Sequence, residues 1–414
     1  MSSFYVFSAG CIRRGLEIIH IQKYLLANGW TLTKRICEAD LVVVATCGVV
    51  KLNEINSLKA ISKAARERSP GADIIVTGCL PLINPDAINE IGDFVFIPSG
   101  QLDRFDNFTG AQIPIKDVEP PDSIADNMDI VNYLVARSFC RRSRVYKYLF
   151  YMFAMNRLFL AGSVAGNRLM GIFACRMAQV PRKKITPYYC IKIADGCASN
   201  CSFCATKMAI GGLKSKPLDA IVAEFRKGID KGYNVFQLIA EDTGCYGLDI
   251  GINLGELLSA ICRCEGEYQI IVIDCSPKWL IDRHDAIVTA MVAQQDKIKE
   301  VFSPVQSGSD KILRRMNREY KAGAVKRVFL ELKERAPGIG LRTGLLVGFP
   351  GETDEDFEDT VQFISALDFA EVTVNRYEDR PGTKSAEMAD KVSTEVIEQR
   401  AQILEKQFGC KILS

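Results

Sequence analysis

The chain has 414 residues, 48% of them hydrophobic, and a formal net charge of +2. That length suits two or three globular domains, and the near-neutral balance by itself identifies no partner. Two histidines, His20 and His284, give poor support to zinc sites built on His pairs and to Ser-His-Asp hydrolysis. Fifteen cysteines follow an N-terminus, Met1 to Phe7, with no basic stretch leading into a long apolar core. That combination argues against a secreted disulfide framework and for thiolate metal ligation in a reducing cytoplasm.

The first hundred residues alternate short apolar runs with helical patterns. Tyr5–Ser8, Leu41–Ala45 and Ile74–Thr77 read as strands, and Leu16–Leu26 and Ile55–Ala65 as helices. Such alternation predicts a parallel sheet with helices on its faces. Cys11, Cys47 and Cys79 each follow one of these strands. Ligands of open parallel sheets bind outside the carboxyl ends of the strands, so the three thiols are expected on one sheet edge. The alternative is three incidental thiols packed as small apolar groups.

A linker is expected near Glu119–Asp122. Beyond it, no acidic residue occurs between Asp129 and Asp195, a stretch that holds Arg141, Arg142, Arg144 and the aromatic run Tyr146–Met155. Arginines interrupt its apolar runs before they reach the ~20 residues a spanning helix needs, so no membrane span is expected. A basic, aromatic segment suits a membrane surface, a nucleic acid or a cover over a site; the plainer alternative is a helical hairpin with solvated arginines.

From Tyr189 the alternation resumes. Strands are expected at Tyr189–Ala194, Val235–Ala240, Tyr268–Ile273, Val301–Pro304, Leu341–Gly348 and Val372–Tyr377, with helices at Leu218–Lys231, Ala322–Arg335 and Glu355–Ala366. This α/β pattern predicts a partial (βα)6 barrel with its site at the carboxyl ends of the strands. The first of these strands runs into Cys197-Ala-Ser-Asn-Cys201-Ser-Phe-Cys204. Three thiolates on one loop suit three irons of a 4Fe–4S cube, leaving the fourth open to a ligand. A zinc or electron-transfer site is the alternative.

Cys197-x3-Cys201-x2-Cys204 at the head of such a barrel resembles the radical S-adenosylmethionine superfamily. In that superfamily the open iron chelates S-adenosylmethionine, whose cleavage gives a radical able to take hydrogen from an unactivated carbon. The runs Ser303–Asp310, Gly344–Thr353 and Tyr377–Thr383 are similar to those of the methylthiotransferases. Glu241–Gly251 is most similar to the archaeal and eukaryotic branch that acts on threonylcarbamoyladenosine in tRNA. Cys11, Cys47 and Cys79, within Thr46-Cys47-Gly48 and Thr77–Pro81, match the three cysteines of that family's flavodoxin-like N-terminal domain.

The resemblance implies two 4Fe–4S clusters, one on Cys197, Cys201 and Cys204 and an auxiliary one on Cys11, Cys47 and Cys79. It implies S-adenosylmethionine as cofactor, an electron donor such as flavodoxin or ferredoxin, and conversion of C–H to C–S(CH3). Around S-adenosylmethionine it implies Phe203 against the adenine and Gly344 and Gly348 beside the adenosine. Glu241 is expected at the methionyl ammonium, with a helix-capping role for Asp242 as the alternative. Gln306 and Ser307 are expected at ribose or substrate. No catalytic side chain is assigned beyond the cluster ligands. The implied domains are 1–118, the α/β domain of the auxiliary cluster; 119–186, the basic insert; and 187–414, the radical barrel.

Three departures from the family shape the expected substrate. No all-β TRAM module follows the helix Thr394–Phe408, Ala209-Ile-Gly211 stands where the family has Ala-Arg-Gly, and the basic insert replaces a short linker. RNA binding draws much of its affinity from phosphate contacts. The expectation is therefore a sulfur-inserting cytoplasmic enzyme working on a small molecule or peptide. The alternative is a tRNA methylthiotransferase acting on N6-threonylcarbamoyladenosine next to the anticodon, with the insert gripping the RNA.

Overall fold

A computed structural model describes residues 2–119, 121 and 188–412. The basic segment with Arg141, Arg142 and Arg144 lies outside the described residues. In the first domain β1 (Ser3–Ser8), β2 (Thr31–Leu32), β3 (Leu41–Thr46), β4 (Asp73–Gly78) and β5 (Val95–Pro98) form a parallel sheet in the order β2-β1-β3-β4-β5. That is the flavodoxin-like order.

Side chains alternate faces along a strand, and both faces of this sheet are covered. Leu41, Val43, Ala45 and Ile75 pack with Leu16, Ile19 and Tyr24 of the helix Ile12–Ala27. Val42, Val44, Ile74 and Val76 pack with Ile61 and Ala64 of the helix Lys51–Glu67. Strands buried on both sides read as unbroken β-branched runs, as β3 and β4 do. β2 is two exposed residues long and β5 ends in Pro98, so neither carries that signal and both escape the sequence reading.

The second domain contains β6 (Tyr189–Lys192), β7 (Ala194–Asp195), β8 (Lys214–Ser215), β9 (Val235–Ile239), β10 (Gln269–Val272), β11 (Ile298–Phe302), β12 (Gly340–Val347), β13 (Glu371–Arg376) and β14 (Lys411–Ile412). Seven of these form a parallel sheet, β14-β13-β12-β11-β10-β9-β6. All six expected strands are present. The fourth starts three residues early, because Lys299 and Glu300 hide its apolar pattern, and the two-residue β14 adds a seventh. β7 and β8 pair antiparallel as a separate clip. Aromatic rings fill the core near β6: Phe225 and Phe236 lie 4.1 Å apart, and Tyr268 meets Phe225 edge-on at 4.9 Å. Among the described residues no helix is long and apolar enough to cross a membrane.

The two domains meet at the carboxyl ends of their sheets. Cys190 and Ile239 of the barrel belong to the apolar cluster of the helix Ile12–Ala27. Arg380 pairs with Glu54 across the seam, both nearly inaccessible, and the Lys51 amide donates to Glu378 Oε2 at 3.0 Å.

Within the barrel Asp356 ties the loop after β11 to the helix Asp354–Ser365. Its carboxylate accepts from Ser309 Oγ (2.7 Å), Lys311 Nζ (2.6 Å) and the Thr353 amide (2.9 Å), the last within a capping box. Burial pushes this carboxyl up, but the Lys311, Thr353 and Ser309 hydrogen bonds outweigh it and hold it at about 2. A folded-state value below the unfolded one stabilises above the unfolded value, and the benefit fades as pH falls through the folded one. Asp356→Asn is expected to lower stability by about 2 kcal/mol at neutral pH. The gap from wild type should close between pH 5 and 2, as read by thermal melts across that range.

Candidate cluster sites

Cys11, Cys47 and Cys79 stand at the ends of β1, β3 and β4, three neighbours in the sheet. The Cys79 amide donates to the Thr46 carbonyl at 3.1 Å, drawing two strand ends together. Gly78 permits it: its φ is +98°, and a Cβ there would lie 2.1 Å from Thr46 O. Ser57 pins Cys47, accepting from its amide at 2.9 Å and donating to its carbonyl at 3.0 Å. Asn53 Nδ2 donates to Cys47 Sγ at 3.7 Å. A hydrogen bond from Cys47 holds the Cys11 thiol down, aided by Arg13 and Arg14. The same bond pushes Cys47 up, and burial pushes Cys79 to about 12.

Cys197, Cys201 and Cys204 lie on a loop clipped at its base by β7 and β8. Gly196 opens it with φ +73°; a Cβ there would lie 2.0 Å from Gly212 O. The loop is stitched to the turn after the helix Asp310–Arg315. Ser202 donates from its amide to Met316 O (2.9 Å) and from its hydroxyl to Arg315 O (2.9 Å), and Asn317 Nδ2 donates to Asn200 O (2.7 Å). Cys197 Sγ accepts from the Ser199 amide at 3.2 Å. Burial pushes the Cys201 thiol to about 11 against the pull of Arg318.

The two sets face one another. Cys79 and Ile83 share one buried cluster with Ala205 and Ala209, so the turn after Cys79 packs on the helix Thr206–Ile210 that follows Cys204. Each set has cations at hand, Arg13 and Arg14 beside Cys11 and Arg318 beside Cys201 and Cys204. Thiols gathered in threes beside buried cations fit thiolate ligation of iron–sulfur clusters.

Phe203 and Glu241 lie at the cysteine loop, and Gln306, Ser307, Gly344 and Gly348 lie in or just after β11 and β12. Phe203 meets Phe349 edge-on at 6.4 Å, with the Arg318 guanidinium over its ring at 5.7 Å. Glu241 Oε2 accepts from the Gly196 amide at 2.9 Å, while Asp242 caps the short turn Thr243–Cys245. Gln306 has φ +75° and bridges to Leu345. Ser307 is fully buried, its hydroxyl against Thr360 at 3.2 Å. Gly344 faces Phe302, Thr373 and Pro304, and a Cβ on Gly348 would lie 2.2 Å from Ile397 Cγ1.

Three functional neighbours escaped the sequence. Arg13 donates to the Ala240 carbonyl (2.6 Å) and to Asp274 Oδ2 (3.2 Å), and its Nε lies 3.5 Å from Glu241 Oε1; its one signal is its place two residues after Cys11. Arg318 sits in a charged turn with nothing to mark it. Cys245 adjoins Cys197, although the two lie far apart in sequence.

The Radical SAM superfamily model matches residues 191–364, and that of the Uncharacterized protein family UPF0004 matches residues 3–97. The chain is similar in fold to the radical S-adenosylmethionine methyltransferase TsrM from Kitasatospora setae, with a TM-score of 0.61 and 14% identity over 93% of this chain and 77% of that one. It is 30% identical over 413 residues to a probable threonylcarbamoyladenosine tRNA methylthiotransferase of Pyrococcus abyssi, covering 98% of this chain and 84% of the relative. A ribosomal protein uS12 methylthiotransferase RimO of Geotalea uraniireducens is 28% identical over 402 residues, covering 95% and 78%. The human threonylcarbamoyladenosine tRNA methylthiotransferase is 28% identical over 402 residues, covering 96% and 61%.

A parallel-sheet domain docked on a radical S-adenosylmethionine barrel, with three thiols facing three thiols, defines an enzyme of the sulfur-transferase kind. The chain belongs to the radical S-adenosylmethionine methylthiotransferase family. Its cofactors are S-adenosylmethionine and two 4Fe–4S clusters.

The strand-end geometry is testable without cofactor. Gly71 and Gly78 both have positive φ, but only Gly78 has backbone in the way of a Cβ. Gly71→Ala is expected to cost about 1 kcal/mol, and Gly78→Ala several kcal/mol more because Thr46 must move. Chemical denaturation of the metal-free proteins compares them.

Proposed function

We propose that this enzyme is a tRNA methylthiotransferase that converts N6-threonylcarbamoyladenosine next to the anticodon to its methylthio form. The observation that carries this reading is the likeness to the Pyrococcus abyssi relative, which runs over 98% of this chain and so takes in both cysteine sets. The human relative of the same name supports it. This reading displaces the small-molecule or peptide substrate favoured by sequence reasoning alone.

In this proposal Cys197, Cys201 and Cys204 hold the cluster that faces S-adenosylmethionine, and Cys11, Cys47 and Cys79 hold the auxiliary cluster. Domain boundaries at 118 and 186 separate the auxiliary domain, the basic insert and the barrel. The bound clusters and S-adenosylmethionine supply the electron, the hydrogen-abstracting power and the sulfur that no side chain offers. The protein's own work is placement. Glu241 holds the Gly196 amide and with it the start of the cysteine loop. Phe203, braced by Phe349, presents a ring at the loop's edge for the adenine. Gln306 and Gly344 stand at the barrel floor for the rest of the nucleoside, while Ser307, its hydroxyl buried against Thr360, and Gly348, packed on Ile397, shape the backbone there rather than touch the ligand. A small one-electron donor of the flavodoxin or ferredoxin type completes the system in a reducing cytoplasm.

The assay uses cluster-loaded enzyme, reductant, S-adenosylmethionine and an anticodon stem-loop carrying N6-threonylcarbamoyladenosine, with digested nucleosides read by mass spectrometry. A methylthio nucleoside is the expected product. Methylthiolation of ribosomal protein uS12 with the stem-loop untouched overturns the proposal. The roles of the two sets separate by substitution. Cys79→Ala is expected to keep cleavage of S-adenosylmethionine to 5′-deoxyadenosine and to lose sulfur insertion. Cys201→Ala is expected to lose both.

A further inference from the structure

Cys245 has no part in either three-thiol set, yet it is fully buried against one of them. Its thiol donates to the Asp242 carbonyl at 3.1 Å and lies against the Cys197 thiol. Cys197 Sγ in turn lies 3.8 Å from Asp242 Oδ2. The ligand atoms of Cys197, Asp242 and Cys245 all fall within 4.8 Å of one another. We propose that these three side chains form a third metal site in this enzyme, one that takes a single divalent transition-metal ion and competes with the cluster for Cys197.

The geometry suits tetrahedral coordination. Metal–sulfur bonds of about 2.3 Å and metal–oxygen bonds of about 2.1 Å give a tetrahedron with edges of roughly 3.5–3.8 Å. The Cys197–Asp242 separation already has that length. Asp242 caps the turn Thr243–Cys245 that follows β9 and Cys245 closes it, and their ligand atoms lie within 4.8 Å of one another. The fourth position is left to water.

Asp242 is held as metal-binding carboxylates are held, by donors behind it. Its Oδ1 accepts from the amides of Gly244 (3.1 Å) and Ser276 (3.0 Å), and its Oδ2 from Trp279 Nε1 at 2.7 Å. Those bonds fix the carboxylate and leave a lone pair of Oδ2 for the ion. Cys197 is half-buried and gives the ion its way in from the mouth.

Two thiolates with one carboxylate select zinc, iron(II) or cobalt(II) over magnesium or calcium. On binding, the ion displaces the two thiol protons to water, and three ligand charges meet two metal charges. Arg318, which faces Asp242, offsets the remainder. Because Cys197 belongs to both ligand sets, a protein carrying this ion cannot close its loop on a cluster. The site is thus a metal-loaded resting form that must empty before the radical centre assembles. None of this depends on the identity of the substrate.

Cobalt(II) added to the anaerobic, metal-free, thiol-reduced full chain reads the site through thiolate-to-cobalt absorption. Cys245→Ala and the closer-fitting Cys245→Ser are both expected to lose one bound equivalent, with affinity there falling about 100-fold or more. Cys204→Ala is expected to keep it, because that thiol serves only the cluster. Zinc bound beforehand should slow iron and sulfide uptake by wild type at least ~10-fold and leave uptake by Cys245→Ala unchanged. Wild-type cobalt binding by both folded Cys245 variants, or equal loss in Cys204→Ala, overturns the proposal.

Discussion

The structure depends on a meeting of strand ends with strand ends. A thiol set that holds a cluster must be gathered by backbone, because cysteine side chains are too short to reach across a site. In the two proposed ligand sets the gathering is done twice, once by three adjacent strands of a parallel sheet and once by a clipped loop at the head of a barrel. Arg13 fixes how these two constructions face. It leaves the first helix two residues after Cys11 and reaches the Ala240 carbonyl and Asp274 at the ends of β9 and β10. A guanidinium is suited to this work because its five donors lie in one plane and stay charged when buried.

Charge at this seam is matched group by group. Arg14 pairs with Glu17, which also accepts from Thr77 and Ser99 below the auxiliary set. Arg318 faces Asp242, Cys201 and Cys204. Buried charges of one sign are tolerated only beside the other, and thiols become thiolates most readily beside cations. The same residues that satisfy the folding requirement therefore prepare the thiols for metal. Glu352 shows the purely structural form of the rule in the barrel wall, where burial pushes its carboxyl to about 7 although Arg400 and the Gly348 amide hold it.

The parts legible in the sequence share a physical reason. β3 and β4 are buried on both faces, so every residue had to be apolar and the run showed itself. Cys47 and Cys79 were legible because such strands announce where they end. The short β2, β5 and β14 carry too few residues for a period to appear. Arg13 and Arg318 were hidden for a different reason: a single cation near a helix end is the commonest of surface patterns, and only the folded neighbourhood distinguishes a bridge from a solvated side chain. Cys245 was hidden by sequence distance from Cys197. The substrate was not legible, because the residue patterns that mark the cysteine sets and the barrel report what chemistry is done and not on what.

The Arg380–Glu54 pair joins residues 326 positions apart. During synthesis the first domain emerges long before its partner. At roughly 5–20 residues per second, the ribosome needs about 15 to 65 s to deliver Arg380 after Glu54. Through that interval, among the described residues, Lys51 and Asn84 answer the charge of Glu54. The nascent auxiliary domain therefore waits with one acidic contact half made, and its final setting is a post-synthetic event timed by the arrival of the barrel's last strands.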